Sequence, residues 1–576
     1  MLGRLSTCGP NSIRSRRAQL ALLFLTPIAL TPIALAQTPA DCAACHFRIA
    51  ETFARTGMAR TFGPVDAVPP IPGGVLRHQL SAQFFSISVR GGIPWLKRYQ
   101  SGGANVFEKP IAYWIGSGNH ARSYLGPGAS GELVELPLTL YSGGAWAMSP
   151  AYDRADHLGF SRRITYRCMF CHNAYPDVPQ GSDDSDSATQ FPATLPQGID
   201  CQRCHGPGRA HIEAAQSGQP VDAVRRAIVN PAHLAPARQL EVCLQCHLET
   251  TTLKLPASLK RYDRGVFSYR PGEPLDDYIL NFDSATPGDR FEFNSSAYRL
   301  RLSACFRGSN GALTCTTCHN PHESAAVSPR ACRQCHSTLS AGHPAGPDCV
   351  SCHMPKRRPS DAVRVTVTDH FIRRRIQAAP AVLTELNDAN TKPYRGEVVL
   401  YYPSATRESG LYLAIAQVRD QANLTAGLER LEAAIAREKP RRGEFYLELA
   451  EAFRHAGKPE KAASFYTEAC VRSEKDWRPF YGLGLVLSAL GNLDGATGSF
   501  RRAISLAPRE TAPPLDLARL MLARNRPLEA IAALEQAIQL VPESADLYTG
   551  LAAAQRRAGN STAAGKSKRE ATRLRP

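Results

Sequence analysis

One pattern in this chain carries specific chemistry: two cysteines separated by two residues and followed directly by a histidine, repeated seven times. Two thiols three positions apart can each form a thioether with a porphyrin vinyl group, and the next imidazole then lies where it can bind iron. The spacing predicts seven covalently attached c-type haems. In chain order, motifs one to seven are Cys42, Cys45 and His46; Cys168, Cys171 and His172; Cys201, Cys204 and His205; Cys243, Cys246 and His247; Cys315, Cys318 and His319; Cys332, Cys335 and His336; and Cys349, Cys352 and His353.

Zinc sites and disulfides explain this pattern less well than haem does. Tetrahedral zinc needs four ligands, so the cysteine pairs would have to combine in twos, and seven is an odd number. A disulfide framework is plausible for an exported chain. Neither alternative gives a role to the histidine that follows every pair.

Further histidines in the same part of the chain can supply second axial ligands. His455 lies farther on and is set aside. Seven irons need at most seven more ligands, so we expect bis-histidine, six-coordinate haems with His157 left over. His322 follows His319 too closely to bracket the same ring, so we expect it, like His211, to bind the iron of a neighbouring haem. The candidate distal ligands are His78, His120, His211, His233, His322, His343 and His370.

The first residues have the pattern of an export signal. Arg14, Arg16 and Arg17 precede an apolar run, and Ala34-Leu35-Ala36 has the form of a cleavage site. We predict a signal peptide over residues 1–36 and a periplasmic or otherwise exported mature protein without a transmembrane span. The formal net charge of +17 would also suit nucleic acid or anionic lipid. Export argues against nucleic acid as a partner, and haem propionates would balance part of the charge.

Residues 37–375 are predicted to form a multihaem cytochrome c domain, mainly α-helical and irregular because the porphyrins make up its core. Between His46 and Cys168, the stretches "HQLSAQFFSISVRG" and "GELVELPLTLYS" are β-prone and bounded by Gly and Pro. We therefore expect a small β-rich insertion there, with His78 and His120 facing a haem.

The remainder of the chain has a 34-residue period. We predict a linker over residues 376–408 and an α-solenoid of tetratricopeptide repeats over residues 409–576. Paired helices of this kind stack into a concave surface, which we expect to dock a redox partner protein. The in-phase positions are Ala462, Ala496, Ala530 and Ala564; Tyr466, Phe500 and Leu534; Ala469, Ala503, Ala537 and Ala571; and, at the turns, Gly457, Gly491, Asn525 and Gly559.

Six stretches carry a family resemblance: "YWIGSGNHARSYL", "CMFCHNAYP", "GIDCQRCHGPGRAH", "CLQCHLET", "CTTCHNPH" and "CHMPKRR" with the following "TDH". They resemble the superfamily that contains the tetrahaem cytochrome c carriers of ammonia oxidisers and pentahaem nitrite reductase. The whole chain resembles exported multihaem cytochromes c with C-terminal tetratricopeptide repeats. The resemblance implies axial ligation by His120, His211, His322 and His370, and it is looser at His78, His233 and His343.

Two functions remain open. Electron transfer between redox partners needs only closely spaced six-coordinate haems, and the supply of histidines favours it. The alternative is a multihaem oxidoreductase for a small nitrogen or sulfur compound, which needs one open haem face. Pentahaem nitrite reductases place lysine in their active-site motif, whereas all seven motifs here end in histidine. Cys305, ten residues before Cys315, is interpreted as a buried free thiol rather than part of a haem site.

Overall fold

The structure, a computed structural model, describes residues 39–67, 71–129, 131–179, 182, 189–251, 253, 255–286, 288–324, 330–339, 343, 348–362, 364–374, 394–402 and 408–575. The predicted signal peptide lies outside these residues, as does more than half of the predicted linker. The described chain runs through a sheet-rich region, a region of short helices with most of the CxxCH motifs, and a run of paired helices. None of its helices combines the length and apolar character needed to cross a membrane.

Two antiparallel sheets follow the first helix, α1 (Pro39–Ala54), and share one core. Phe85 and Leu96 from one sheet and Trp114 and Leu136 from the other are buried in it. The predicted β-rich region is therefore confirmed, although it is larger than expected. Its strands are β1 (Phe62–Pro64), β2 (Gly74–His78), β3 (Gln83–Arg90), β4 (Ile93–Tyr99), β5 (Phe107–Pro110), β6 (Tyr113–Ile115), β7 (Ala121–Pro127), β8 (Leu133–Tyr141) and β9 (Trp146–Met148), ordered β1-β6-β7-β8-β9 and β2-β3-β4-β5.

Short helices joined by irregular backbone carry motifs two, three, four, six and seven, and motif five begins on a 3₁₀ turn (Cys315–Thr317). Their protein core is aromatic: the guanidinium carbon of Arg203 lies 4.3 Å from the ring centre of Phe170 and 4.8 Å from that of Tyr175. The helices are α2 (Tyr166–His172), α3 (Gln202–His205), α4 (Arg209–Gln216), α5 (Val221–Arg226), α6 (Pro236–His247), α7 (Ser296–Leu302), α8 (Ala304–Gly308), α9 (Arg330–Arg333) and α10 (Cys349–His353), with strands β10 (Ser258–Lys260), β11 (Ile279–Ser284), β12 (Lys356–Arg357) and β13 (Val367–Thr368).

Ten consecutive helices form the C-terminal region, as the 34-residue period predicts. The in-phase alanines Ala462, Ala496, Ala530 and Ala564 are all buried where neighbouring helices pack. The turn residues at the same phase have positive φ, and Asn525 (φ 56°) is the only one that is not glycine. The helices are α11 (Ser409–Val418), α12 (Leu424–Glu438), α13 (Gly443–His455), α14 (Pro459–Arg472), α15 (Trp477–Ala489), α16 (Leu493–Leu506), α17 (Ala512–Ala523), α18 (Pro527–Leu540), α19 (Ala545–Arg557) and α20 (Ser561–Leu574).

The start of the helical region is joined to the motif-bearing region by a shared sheet. Strand β14 (Val398–Tyr402), within the predicted linker, pairs antiparallel with β11. Leu280, Phe282 and Val398 from this sheet belong to one apolar core with helices α11 to α19. The segment before the repeats is thus a structural element as well as a connection.

The far end of the helical region contacts the sheet-rich region through polar groups. Lys109 Nζ, almost fully buried, donates to Glu543 Oε2 at 2.6 Å and to the carbonyl oxygen of Pro127 at 2.8 Å. Arg163 Nη1 donates to both carboxylate oxygens of Glu510, at 3.0 and 3.1 Å. The helical region is therefore attached to the rest of the chain at both of its ends.

Replacing Lys109 with Met is expected to loosen the last helices. The change removes a buried, charged hydrogen bond to Glu543 and should cost about 1.5–3 kcal/mol. Amide hydrogen exchange measured by mass spectrometry should become faster in α18 to α20 and stay unchanged in α11 to α13. The control is Lys461→Met, which removes an exposed pair with Glu432 at 2.8 Å and should cost no more than about 1 kcal/mol. Equal effects of the two variants would contradict this attachment.

Candidate functional site

The CxxCH motifs lie on or beside helical turns. The amide N–H of His205 donates to the carbonyl of Cys201 at 2.9 Å, and His319 and Cys315 are joined in the same way at 2.9 Å. Residues three apart on such a turn share a face, so both thiols of a motif project to one side. In motif one, α1 leaves helical geometry at His46 (φ −112°, ψ 40°).

Thiols from different motifs lie close enough to shift one another's pKa. Contact with Cys201 lowers the pKa of Cys42 to about 7, and contact with Cys315 raises the pKa of Cys243. All sixteen described cysteines are free thiols in this structure. The pairs in contact are Cys42 with Cys201, Cys171 with Cys246, Cys243 with Cys315, and Cys332 with Cys349.

These contacts place the motifs in a spatial order that differs from their order along the chain. These contacts join motif one to motif three, motif two to motif four, motif four to motif five, and motif six to motif seven. Burial and nearby Cys246 together raise the pKa of Cys204 to about 11, which links motif three to four. Burial and neighbouring thiols including Cys335 raise the pKa of Cys318, which links motif five to six. Motifs one, three, four, five, six and seven therefore follow one another in space as one continuous series. Motif two lies beside motif four.

Four motif histidines each face a second histidine at nearly the same separation. In every case the partner is one of the candidate distal ligands. For His322 the partner belongs to motif three and not to motif five, which precedes it in the sequence. The ring centres are 6.3 Å apart for His46 and His211, 6.0 Å for His205 and His322, 6.1 Å for His319 and His370, and 6.0 Å for His353 and His343.

Hydrogen bonds at Nδ1 orient several of these rings. Nδ1 of His205 donates to the carbonyl oxygen of Val229 at 2.8 Å, and Nδ1 of His211 to that of Val224 at 2.8 Å. A carbonyl can only accept, so the proton lies on Nδ1 and the Nε2 lone pair is free for a metal. His353 and His370 donate in the same way to the carbonyls of Arg373, at 2.6 Å, and Thr368, at 3.1 Å.

The histidines of motifs two, four and six have no second histidine at this separation among the described residues. Nδ1 of His172 lies 2.6 Å from Thr61 Oγ1, and Nδ1 of His247 donates to Asn294 Oδ1 at 3.1 Å. Burial lowers the pKa of His172 to about 4, so its imidazole is neutral at physiological pH. His336 is exposed. The sequence gives no sign of Thr61 or Asn294, because they lie 111 and 47 residues from their partners.

Three other candidate ligands lie apart from the paired histidines. His120 packs against Phe293, with ring centres 5.8 Å apart, and His233 is exposed at the end of a short 3₁₀ turn. Both nitrogens of His78 are engaged, Nδ1 at 2.7 Å from Ser81 Oγ and Nε2 at 3.2 Å from Asp153 Oδ1. The structure does not bring His78 together with a motif histidine.

The ring of His78 instead lies 5.5 Å from that of His157, inside the sheet-rich region. Nδ1 of His157 accepts the amide N–H of Gly159 at 3.0 Å, so the ring proton lies on Nε2. Burial, together with the charges of His78 and Arg98, lowers the pKa of His157 to about 4. These two histidines therefore pack as part of the sheet core.

A buried ion pair fixes the segment that carries His370. Arg299 on α7 donates to both oxygens of Asp369, from Nε at 2.9 Å and from Nη2 at 2.7 Å, and both side chains are at most 1% exposed. Arg357 donates to the same carboxylate at 3.0 Å. The two arginines thus position the backbone next to His370.

Cys305 lies on α8 close to the later motifs. It is partly buried, and burial together with nearby Cys335 raises the pKa of its thiol. A raised pKa keeps the group protonated and unreactive at neutral pH.

Comparisons with known proteins identify the helical region. The tetratricopeptide repeat family matches residues 418–477 and 515–576, and no curated protein matches the chain. Similar solved structures include MamA (19% identity, covering 27% of this chain and 91% of that chain, TM-score 0.26), MamA from Desulfovibrio magneticus RS-1 (15%, 29% and 95%, 0.27), and YrrB, described as a TPR protein with an unusual peptide-binding site (17%, 29% and 84%, 0.26). The C-terminal region of this chain consists of tetratricopeptide repeats, the kind of module that binds other proteins.

Proposed function

We propose that this chain is an exported multihaem c-type cytochrome. It carries seven covalently attached haems and transfers electrons between redox partners outside the cytoplasm, and its repeats dock a partner protein. The observation that carries the proposal is the set of four histidine pairs with ring centres 6.0–6.3 Å apart.

The separation in these pairs suits two imidazoles bound to one iron. An iron held by two imidazoles would lie about 2 Å from each Nε2, and each ring centre lies about 1 Å beyond that nitrogen, so the two centres would be about 6 Å apart. Four motif histidines have this separation, and in each case the partner is a candidate distal ligand. The Nδ1 hydrogen bonds of His205, His211, His353 and His370 leave Nε2 available, as ligation requires.

The motif cysteines fit covalent attachment. In each motif two free thiols precede a histidine, and the thiols of motifs two, three and four are partly buried and lie near one another. When bound, haem supplies one-electron redox chemistry. The continuous series of motifs favours electron transfer because closely spaced centres exchange electrons faster. The protein tunes each potential through burial and axial ligation.

The spin state of one iron tests the ligand assignment. Replacing His322 with Ala removes the partner of His205, and we expect one haem to change from low-spin to high-spin in the electron paramagnetic resonance spectrum of the purified full chain. His455→Ala is the control, because His455 lies in the repeats, far from any motif in sequence. An unchanged spectrum in His322→Ala would remove His322 from the set of ligands.

The alternative function is a multihaem oxidoreductase for a small nitrogen or sulfur compound. One observation favours it: His172, His247 and His336 have no histidine partner among the described residues, which is compatible with an open face on one of these haems. Native protein that shows a high-spin signal shifted by nitrite, hydroxylamine, sulfite or cyanide would support an enzyme. Only low-spin signals, unchanged by these ligands, would support a carrier.

A further inference from the structure

A surface cavity of about 310 Å³ lies at one end of the sheet-rich region. Its wall is built from Arg60, the loop from Ser117 to Arg122 before and at the start of β7, and the turn from Ser142 to Gly144 after β8. The polar side chains that line it are two arginines, two serines, Asn119 and Tyr141, and no carboxylate is among the lining residues.

Neither arginine of this cavity has an ionic partner within the described ranges. Arg122 stacks on Trp114, with its guanidinium carbon 5.2 Å from the ring centre, and Nη2 donates to the carbonyl of Ser117 at 3.0 Å. Its Nε is buried without a hydrogen-bond partner among the described residues. Burial lowers the pKa of Arg122, and the nearby charge of Arg60 lowers it further. An anion between this partly buried cation and the second cation beside it would be attracted by both.

The loop is shaped to hold Arg122 in this place. Gly118 has φ +84°, and a Cβ at this position would lie 2.8 Å from Nη2 of Arg122. A side chain on residue 118 would therefore displace the guanidinium. Glycine adopts this positive φ without strain and leaves space for the guanidinium of Arg122.

The cavity is connected to motif two. Thr61, the residue after Arg60, contacts Nδ1 of His172 at 2.6 Å. Trp114, on which Arg122 stacks, donates from Nε1 to the carbonyl oxygen of Arg60 at 3.2 Å. An anion held by the two arginines would thus lie close to Thr61, whose hydroxyl contacts His172.

We propose that this cavity binds an oxyanion, with Arg60 and Arg122 as the charged groups and the hydroxyl and amide side chains as further donors. Guanidinium groups suit this role because their planar N–H groups match carboxylates and inorganic oxyanions. Two kinds of ligand have this chemistry: a free small oxyanion, and a propionate of a bound haem. Binding of a haem propionate in the cavity rests on the proposed function, whereas binding of a free anion does not.

Isothermal titration calorimetry of the purified full chain with inorganic phosphate tests whether the cavity binds a free anion. We expect saturable binding that weakens at least tenfold in Arg60→Gln and in Arg122→Gln. Arg441→Gln, which removes an exposed arginine of the repeats, is the charge-matched control and should bind as the native chain does. Arg60 is itself exposed, so Arg60→Gln is expected to fold normally even if Arg122→Gln does not.

A redox titration of the same variants tests whether the cavity binds a haem propionate. If a propionate fills the cavity, the native protein binds no phosphate there, and loss of either arginine lowers the midpoint potential of one haem, because a nearby positive charge favours the reduced state. Phosphate binding equal in native and variant chains, or no effect in both experiments with a haem-loaded protein, would overturn the proposal. A protein without haem would refute the proposed function and leave the phosphate result standing.

Discussion

Replacing both cysteines of motif four with alanine, Cys243→Ala with Cys246→Ala, is expected to remove more than one haem. The native chain should exceed its polypeptide mass by seven increments of about 616 Da each. Motif four lies at the junction of the series, where its thiols contact Cys171 and Cys315 and approach Cys204. Without the proposed porphyrin of motif four, we expect the surrounding motifs to lose packing. Intact-protein mass spectrometry counts the haems that remain.

The matched control removes motif six, Cys332→Ala with Cys335→Ala. Cys335 is exposed, and Cys332 is only partly buried, in contact with Cys349. This variant should lose one increment and keep six. Loss of a single haem from both variants would contradict the central place of motif four. A native protein of bare polypeptide mass, made in cells that attach c-type haem, would refute the cytochrome proposal itself.

Replacing Asp369 with Ala is expected to destabilise the segment around His370 by about 3–5 kcal/mol. The change leaves the buried guanidinium of Arg299 without its bidentate partner. Hydrogen exchange should accelerate in α7 and in residues 364–374, and the midpoint of unfolding in urea should fall.

Asp289→Ala provides the control for this ion pair. Asp289 Oδ1 lies 2.8 Å from Nη1 of the same Arg299, but the Asp289 side chain is 52% exposed. Solvent already screens that interaction, so we expect a change of at most about 1 kcal/mol. If both variants unfold at the native midpoint, Asp369 has no anchoring role.

The repeats were the most predictable part of the fold because their signal is local and periodic. Each in-phase alanine, such as Ala496, packs against the adjacent helix, so a small residue is required at one fixed spacing. The sheet-rich region was predicted in kind but not in size. Short strands such as β5 and β6 have too few residues to show an alternating pattern, and they form because neighbouring strands pair with them.

The candidate site was predictable only where its chemistry is contiguous in the sequence. The thiols and histidine of each motif sit within five residues, so their spacing is visible. The pairing of His205 with His322 depends on tertiary structure, as does the contact between Thr61 and His172. For His78, the residue type and position suggested a haem ligand. In the structure, Ser81 and Asp153 lie in hydrogen-bonding contact with its two ring nitrogens.

The attachment of the last helices to the sheet-rich region has a consequence for biosynthesis. Nη2 of Arg98 donates to the carbonyl of Arg573 at 2.5 Å across 475 positions of the chain. A ribosome makes the chain from its N-terminus, so this contact cannot form until α20 has been made. The cysteine motifs are thus synthesised well before the last repeat can attach to the sheet-rich region. Premature termination before the end of α20 would leave Arg98 without this contact, and truncated products should be degraded preferentially.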